Sequence, residues 1–399
     1  MWLSVPLTLF WFVYMGSVGI FFPYFSLYLK ENAGLSGIDL GWILAILPLV
    51  SIVGQPFWGH VADRTGARSH IVAFLALGSV FGYLWLAVAN GFVAILLATA
   101  TLAVFSSAIL PIIISVSLAT LRNAGSHAFG FVRVWGTVGY FLLIVTFPWI
   151  LTRYQAAHGL VAKSGGVSEP GLEIMFVVAA GLVLVSALFG LFLPRGGVVS
   201  LRAERGAWKL LLSNTSYIRL LIFSSSAILL SNGPMWLFPI FVRSRGGDVE
   251  TIRSMWVYML VIEIPLILAT GSGLKRLGAR GLLGVGVFVG GLRWILCALT
   301  TDLQLLFIVQ MLHGATVVGL LMGAPLYLDI IAPERLRSTA QAVLSMVGVG
   351  IAGIISNLGS GWLLDHAGID LLYGVMGMAS AVLGTLVWWI LPPPERAQE

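Results

Sequence analysis

The sequence predicts an all-helical membrane protein: twelve transmembrane helices in two pseudo-symmetric six-helix bundles. Three observations predict it. Residues of the set Ala, Val, Ile, Leu, Met, Phe, Trp, Tyr and Cys fill 59% of 399 positions against 10% charged, with a mean hydropathy of +0.99, a balance far from that of soluble domains. Apolar runs of about 20 residues recur along the whole chain, each able to cross a bilayer with its backbone polar groups satisfied inside a helix. Three short motifs also repeat at offsets of 212 to 217 residues.

The runs place spans at 5–30, 40–61, 70–89, 92–121, 128–151, 173–193, 217–242, 251–273, 281–299, 303–331, 337–363 and 370–391. They are continuous and carry interior Gly and Pro, as membrane helices tolerate, whereas a barrel needs segments of about ten alternating residues. No Lys or Arg precedes the first run, which is longer than a signal-peptide core, so it is expected to remain as the first span. Cys297 is the single cysteine, which excludes an intrachain disulfide.

The charge of +6 reads by position. Arg64, Arg68, Arg122, Arg195, Arg202, Arg205, Lys209, Arg219, Lys275, Arg276, Arg280, Arg335, Arg337 and Arg396 fall on one side. Lys30, Arg153, Lys163, Arg243, Arg245 and Arg253 fall on the other. The richer side is cytoplasmic by the positive-inside rule, which puts both termini there in the inner membrane. The basic surplus then reflects topology and anionic lipid, not nucleic acid.

The long polar stretch from Pro194 to Asn214 suggests three parts: bundle 1–194, a cytoplasmic linker 195–214 and bundle 215–399. The halves answer each other. Phe22-Pro23-Tyr24-Phe25 pairs with Phe238-Pro239-Ile240-Phe241, Pro48-Leu49 with Pro265-Leu266, and Arg64-Thr65-Gly66-Ala67-Arg68 with Arg276-Leu277-Gly278-Ala279-Arg280. Parallel six-helix repeats imply a solute site near the midplane and rocking around it, the architecture of a transporter rather than a pore.

The loop Gly59-His60-Val61-Ala62-Asp63-Arg64-Thr65-Gly66-Ala67-Arg68 resembles the signature loop of the major facilitator superfamily. The chain as a whole resembles the proton-symporter branch of lactose permease, nucleoside symporters and phenylpropionate permeases. Four stretches carry the match: residues 19–25, 129–136 (Phe-Gly-Phe-Val-Arg-Val-Trp-Gly), Leu292-Arg293-Trp294, and Gln310-Met311-Leu312-His313. In the loop, Gly59 is expected to allow close helix approach and Gly66 a tight turn. Asp63 is expected to cap a helix or pair an arginine, with Asp63, Arg64 and Arg68 forming a conformational latch. A second motif, Gly361, Asp365 and Gly368, reads as a turn on the opposite side, and Asp329 as half of a loop salt bridge.

Glu263, Arg293 and His313 lie about 10 to 12 residues inside their spans, roughly 15–18 Å deep at the helical rise. Ionisable groups there cost on the order of 3 kcal/mol each and should face a cavity and one another. The first half holds Ile46, Phe81 and Thr101 at or near the repeat positions, so the scaffold does not require charge there. Desolvation favours a protonated carboxyl and a neighbouring guanidinium an ionised one, so alternating surroundings could load and unload a proton. The alternative is a static network holding helices together.

The resemblance to lactose permease implies an acid, an arginine and a histidine of the coupling machinery at these three positions. One departure is that the glutamate one turn after the histidine is here Thr316, which leaves proton carriage to Glu263. Arg133 aligns with the substrate-binding arginine, while the acid that partners it corresponds to Ser115. An arginine lacking that partner suits bidentate capture of a substrate carboxylate, although its shallow position also permits snorkelling to lipid phosphate. Tyr24, Trp135 and Tyr140 are candidate cavity walls for an aromatic solute, with lipid-facing belts as the bland alternative. Gln55 and Asn357 are candidate hydrogen-bond partners, with helix packing as the alternative.

The expected function is proton-coupled import of a small organic solute, best an aromatic or other monocarboxylic acid. A sugar or nucleoside symporter, a drug/proton antiporter or a degenerate sensor are the alternatives. No metal-spacing cluster, phosphate loop or nucleophile constellation points to an enzyme, a cofactor or a metal. The partners expected are solute, protons and lipid, with the chain a monomer.

Overall fold

In the computed structural model, residues 5–121, 128–161, 169–193 and 207–393 are described. Arg122, Lys163, Arg195, Arg202, Arg205, Arg396 and most of the expected linker lie outside them, as do the side chains of Lys209 and Arg335.

Among the described residues, eleven helices are long and apolar enough to cross a membrane. They are α1 (Val5–Asn32), α2 (Gly37–Thr65), α3 (Arg68–Val88), α4 (Phe92–Leu121), α5 (Ala128–His158), α6 (Ile174–Leu191), α7 (Thr215–Trp236), α8 (Val249–Leu268), α9 (Thr270–Leu299), α10 (Leu303–Ile331) and α11 (Arg337–Thr385). The last runs 49 residues, over twice what a bilayer needs. It turns at Gly368, whose φ of 78° lies outside helical space, so residues 337–367 and 369–385 are two crossings. The expected turn thus rests on Gly368 alone, Gly361 and Asp365 being helical. Asp329 is exposed and makes no ion pair among the described residues.

Local chemistry sets the ends. Ser36 and Asp39 form a reciprocal capping box at the start of α2, satisfying two otherwise orphaned amides. Asn214, Asp248 and Asp302 accept from the first-turn amides of Tyr217, Thr251 and Gln304 at 3.1, 2.7 and 2.7 Å. Gly66 closes α2 with a φ of 65°, and Gly278, 212 residues later, breaks α9 at 67°. Only glycine takes that conformation without a Cβ penalty, so the sequence repeat recurs in the backbone.

Contacts divide the chain into Met1–Leu201 with Asp248–Arg253, and Arg202–Gly247 with Ser254–Glu399. Within the first unit α1 packs on α5 and α6, and α3 on α4 and α6. Within the second, α7 packs on the stretch after Gly353, and α9 packs on α10 and on that same stretch. Glycines set close approaches in both units: a Cβ on Gly19 would strike the Tyr140 backbone, and one on Gly233 would strike Ser356 and Ser360.

Candidate functional site

In the second unit α8, α9 and α10 bring together three charged or titratable groups. Gly314 makes this possible, since a Cβ there would lie 3.1 Å from the Glu263 Cα. The missing side chain lets α8 and α10 touch beside His313. α10 is irregular at the same level: a turn at residues 311–312 separates Leu303–Gln310 from His313–Thr316, and a wide π-turn, Val317–Met322, follows. Such departures from the helical ladder concentrate at functional sites.

The three expected residues meet in a row, with histidine in the middle. His313 Nε2 lies 3.9 Å from Glu263 Oε2, and the two side chains are 13% and 20% exposed. Arg293 Nη1 lies 3.1 Å from His313 Nδ1. Arg293 itself is 1% exposed and forms no ion pair with a carboxylate among the described residues. Its Nε and Nη2 instead donate to Gln310 Oε1 at 2.9 and 2.6 Å. Nη2 also meets the Met259 sulfur at 3.2 Å, and the guanidinium lies 4.1 Å from the centroid of the Trp294 ring.

The protonation pattern follows. A guanidinium only donates, so His313 Nδ1 must accept, and the neutral ring then carries its proton on Nε2, toward Glu263. A second ring proton would set N–H against N–H. The Gln310 amide is likewise oriented by its surroundings: its oxygen faces two guanidinium donors, and its Nε2 faces Cys297 Sγ at 3.5 Å.

Gln310, Met259 and Cys297 were missed as site residues. The available signal was spacing, because Gln310 is one turn before His313 and Cys297 one turn after Arg293, each pair on one helix face.

Asn357, 2% exposed, accepts from Asn232 Nδ2 at 2.9 Å. The adjacent Ser356 hydroxyl accepts from the Gly233 amide at 2.8 Å and donates to Leu229 O. Ser356 thus inserts between the Gly233 N–H and the Leu229 carbonyl of α7, next to the rung that Pro234, having no N–H, does not make.

In the first unit, the Arg133 guanidinium lies 4.7 Å from the Trp11 ring centroid, and Trp11 Nε1 donates to Ser117 Oγ at 3.0 Å. Ser115 serves a different arginine, accepting from Arg68 Nη1 at 2.8 Å. Tyr140 is half-buried, and Trp135 is exposed, edge-on to Phe12 at 6.5 Å. Tyr24 does not form an open wall here: it is 0% exposed, its ring 4.9 Å from Phe147. Gln55 is exposed and makes no hydrogen bond among the described residues.

In the signature loop Asp63 Oδ1 accepts from Arg68 Nε at 3.2 Å and Nη2 at 2.5 Å. Together with Ser115, Asp63 and Arg68 tie the start of α3 to the end of α2 and to α4. Arg64 is exposed and outside this network. Gly59 is corrected as a contact residue, since a Cβ there would meet nothing within 4 Å. Gly54, where a Cβ would lie 2.9 Å from Ser107 Oγ, is a close approach in α2.

A polytopic helical chain with charged and amide groups buried within its spans fits a membrane transporter. The chain belongs to the MFS_1 like family, whose model matches residues 4–375, and so to the major facilitator superfamily of transporters, not to an enzyme family. It is 27% identical to the maltose permease of Geobacillus stearothermophilus, over 97% of this chain and 94% of that one. It is 23% identical to a probable 3-phenylpropionic acid transporter of Escherichia coli strain K12, covering 91% of each. In fold it matches the crystal structure of the nucleoside transporter NupG with a TM-score of 0.82 at 18% identity, covering 98% of this chain and 99% of that one.

Proposed function

We propose that this multi-pass membrane protein is a proton-coupled importer of a small organic solute, working by alternating access in the inner membrane with both termini cytoplasmic. The observation that carries the reading is the Glu263, His313, Arg293 row. The buried guanidinium has no adjacent counter-ion, so Glu263, across the imidazole, is the carboxylate whose charge balances it. Glu263 is half-buried and therefore reachable by a proton. When it takes one, the cluster gains a net positive charge, which favours surroundings of different polarity. The energy of the proton gradient thereby acts on the conformational equilibrium. His313, held as the Nε2–H tautomer, orients toward Glu263 and transmits the field of Arg293 without itself carrying the proton.

For the substrate, the first reading is an aromatic or other monocarboxylic acid. The Arg133 guanidinium stacks on Trp11 with no carboxylate partner among the described residues, which leaves its fork free for a carboxylate. The second reading, a sugar or nucleoside, is favoured by the maltose permease relative and by the neutral Asn232–Asn357 amide pair, which suits hydroxyl groups.

The test is uptake into proteoliposomes under an imposed inward proton gradient, with labelled 3-phenylpropionate, maltose and uridine in parallel. Accumulation above equilibrium that collapses with a protonophore supports symport, and the labelled solute that accumulates selects the substrate class. Export, or uptake indifferent to the gradient, rejects the reading.

A further inference from the structure

We propose that Gln310 is a positioning residue of the coupling cluster: by taking two guanidinium N–H bonds on one amide oxygen, it aims Arg293 Nη1 at His313 Nδ1 and so holds the imidazole proton on the side of Glu263. This rests on the proton-coupling reading for its role in transport, but not for the contact itself.

The geometry gives Gln310 this task in three steps. It is 0% exposed, so its amide is satisfied by protein groups: Oε1 by Arg293 Nε and Nη2, and Nε2 by Cys297 Sγ. Two bonds from the same edge of a rigid planar fork fix its rotation, leaving Nη1 pointing one way. The direction is toward His313 Nδ1 at 3.1 Å. The other groups around the fork are the Met235 and Met259 sulfurs and the Trp294 and Phe238 rings. Thioether sulfur is a weak acceptor, so these surroundings do not dictate the rotation as the amide oxygen does.

A neutral residue here also has an electrostatic consequence. A carboxylate at 310 would form a fully buried ion pair with Arg293 and cancel its charge locally. The amide satisfies the same two N–H groups and cancels nothing, so the guanidinium charge still acts on Glu263 through His313. Gln310 thus separates aiming the arginine from neutralising it.

The experiment uses the full chain in lipid vesicles with 15N-labelled arginine and histidine. Magic-angle-spinning NMR looks for a proton-mediated correlation between an arginine Nη–H and an unprotonated imidazole Nδ1, assigned to His313 by its loss in His313→Gln. Wild type is expected to show it, Gln310→Glu to retain it because a carboxylate oxygen aims the fork equally well, and Gln310→Leu to lose it. Absence from wild type, loss in Gln310→Glu, or persistence in Gln310→Leu each overturn the proposal, and the first two hold even if Gln310→Leu fails to fold.

The paired transport readout uses 3-phenylpropionate, maltose and uridine. Gln310→Glu, which keeps the aim and loses the charge, is expected to lower gradient-driven accumulation at least about tenfold while solute exchange without a gradient persists. Accumulation equal to wild type overturns the electrostatic half. A wild type that accumulates none of the three under the gradient defeats the coupling reading and the transport role of Gln310 with it, leaving the NMR result on the contact standing.

Discussion

Arg293→Lys keeps the charge and removes the fork, so it separates the two things Arg293 supplies. Three guanidinium nitrogens reach two acceptors on different sides, Gln310 Oε1 at 2.9 and 2.6 Å and His313 Nδ1 at 3.1 Å. A shorter, single-headed ammonium reaches one of them. The other is left buried without a donor, at a cost of about 1–3 kcal/mol. Where that cost falls on the orientation of His313, about 1.4–2.8 kcal/mol corresponds to a rate loss of about 10- to 100-fold. The assays are the thermal midpoint of the purified protein and the initial rate of gradient-driven uptake. The midpoint should fall by several degrees, and uptake should drop by one to two orders of magnitude with the protein still inserted. An unchanged midpoint together with an uptake rate within about twofold of wild type would refute the argument that fork geometry matters here beyond charge.

Other outcomes follow from the same structure. Asp63→Asn removes the charge from the pair with Arg68, a side chain only 10% exposed. With Asp63 itself 45% exposed, the cost is about 1–2 kcal/mol, read as a slower maximal exchange rate at unchanged expression; unaltered exchange contradicts the latch. Gly66→Ala forces a Cβ into a φ of 65°, which costs about 1 kcal/mol and lowers the thermal midpoint, whereas Gly59→Ala, helical and with open space around it, does not lower it, since alanine favours helix over glycine. Arg133→Gln should abolish binding of 3-phenylpropionate, measured by scintillation proximity, and leave maltose unaffected; equal loss of both would assign Arg133 to packing on Trp11.

The sequence carried a good deal of this. Apolarity matches the eleven long helices of the described residues, and the repeat corresponds to two positive-φ glycines 212 residues apart, at Gly66 and Gly278. Glu263, Arg293 and His313 stood out because charge inside an apolar span is expensive. Their order of contact was not legible, since it depends on the rotation of three helices and on the missing Cβ of Gly314. Gln310 lies in a stretch that carries the resemblance, but its tie to Arg293 is not legible in the sequence, since it depends on how α9 and α10 are rotated against each other. The motif position points to Gly59, yet a close contact falls five residues earlier at Gly54, where Ser107 on α4 approaches. Ser115 stands at the position of the vacated partner of Arg133, but its hydroxyl is engaged by Arg68, a pairing that sequence distance conceals.

The claim at the centre is that Glu263 takes up the proton while Arg293 and His313 set its surroundings. Proton uptake accompanying solute entry into lightly buffered proteoliposomes, compared between wild type and Glu263→Gln, addresses it directly. The account predicts alkalinisation of the outside medium with wild type, and none with a variant that still exchanges solute across the membrane. Alkalinisation by Glu263→Gln at the wild-type ratio of protons to solute would contradict it.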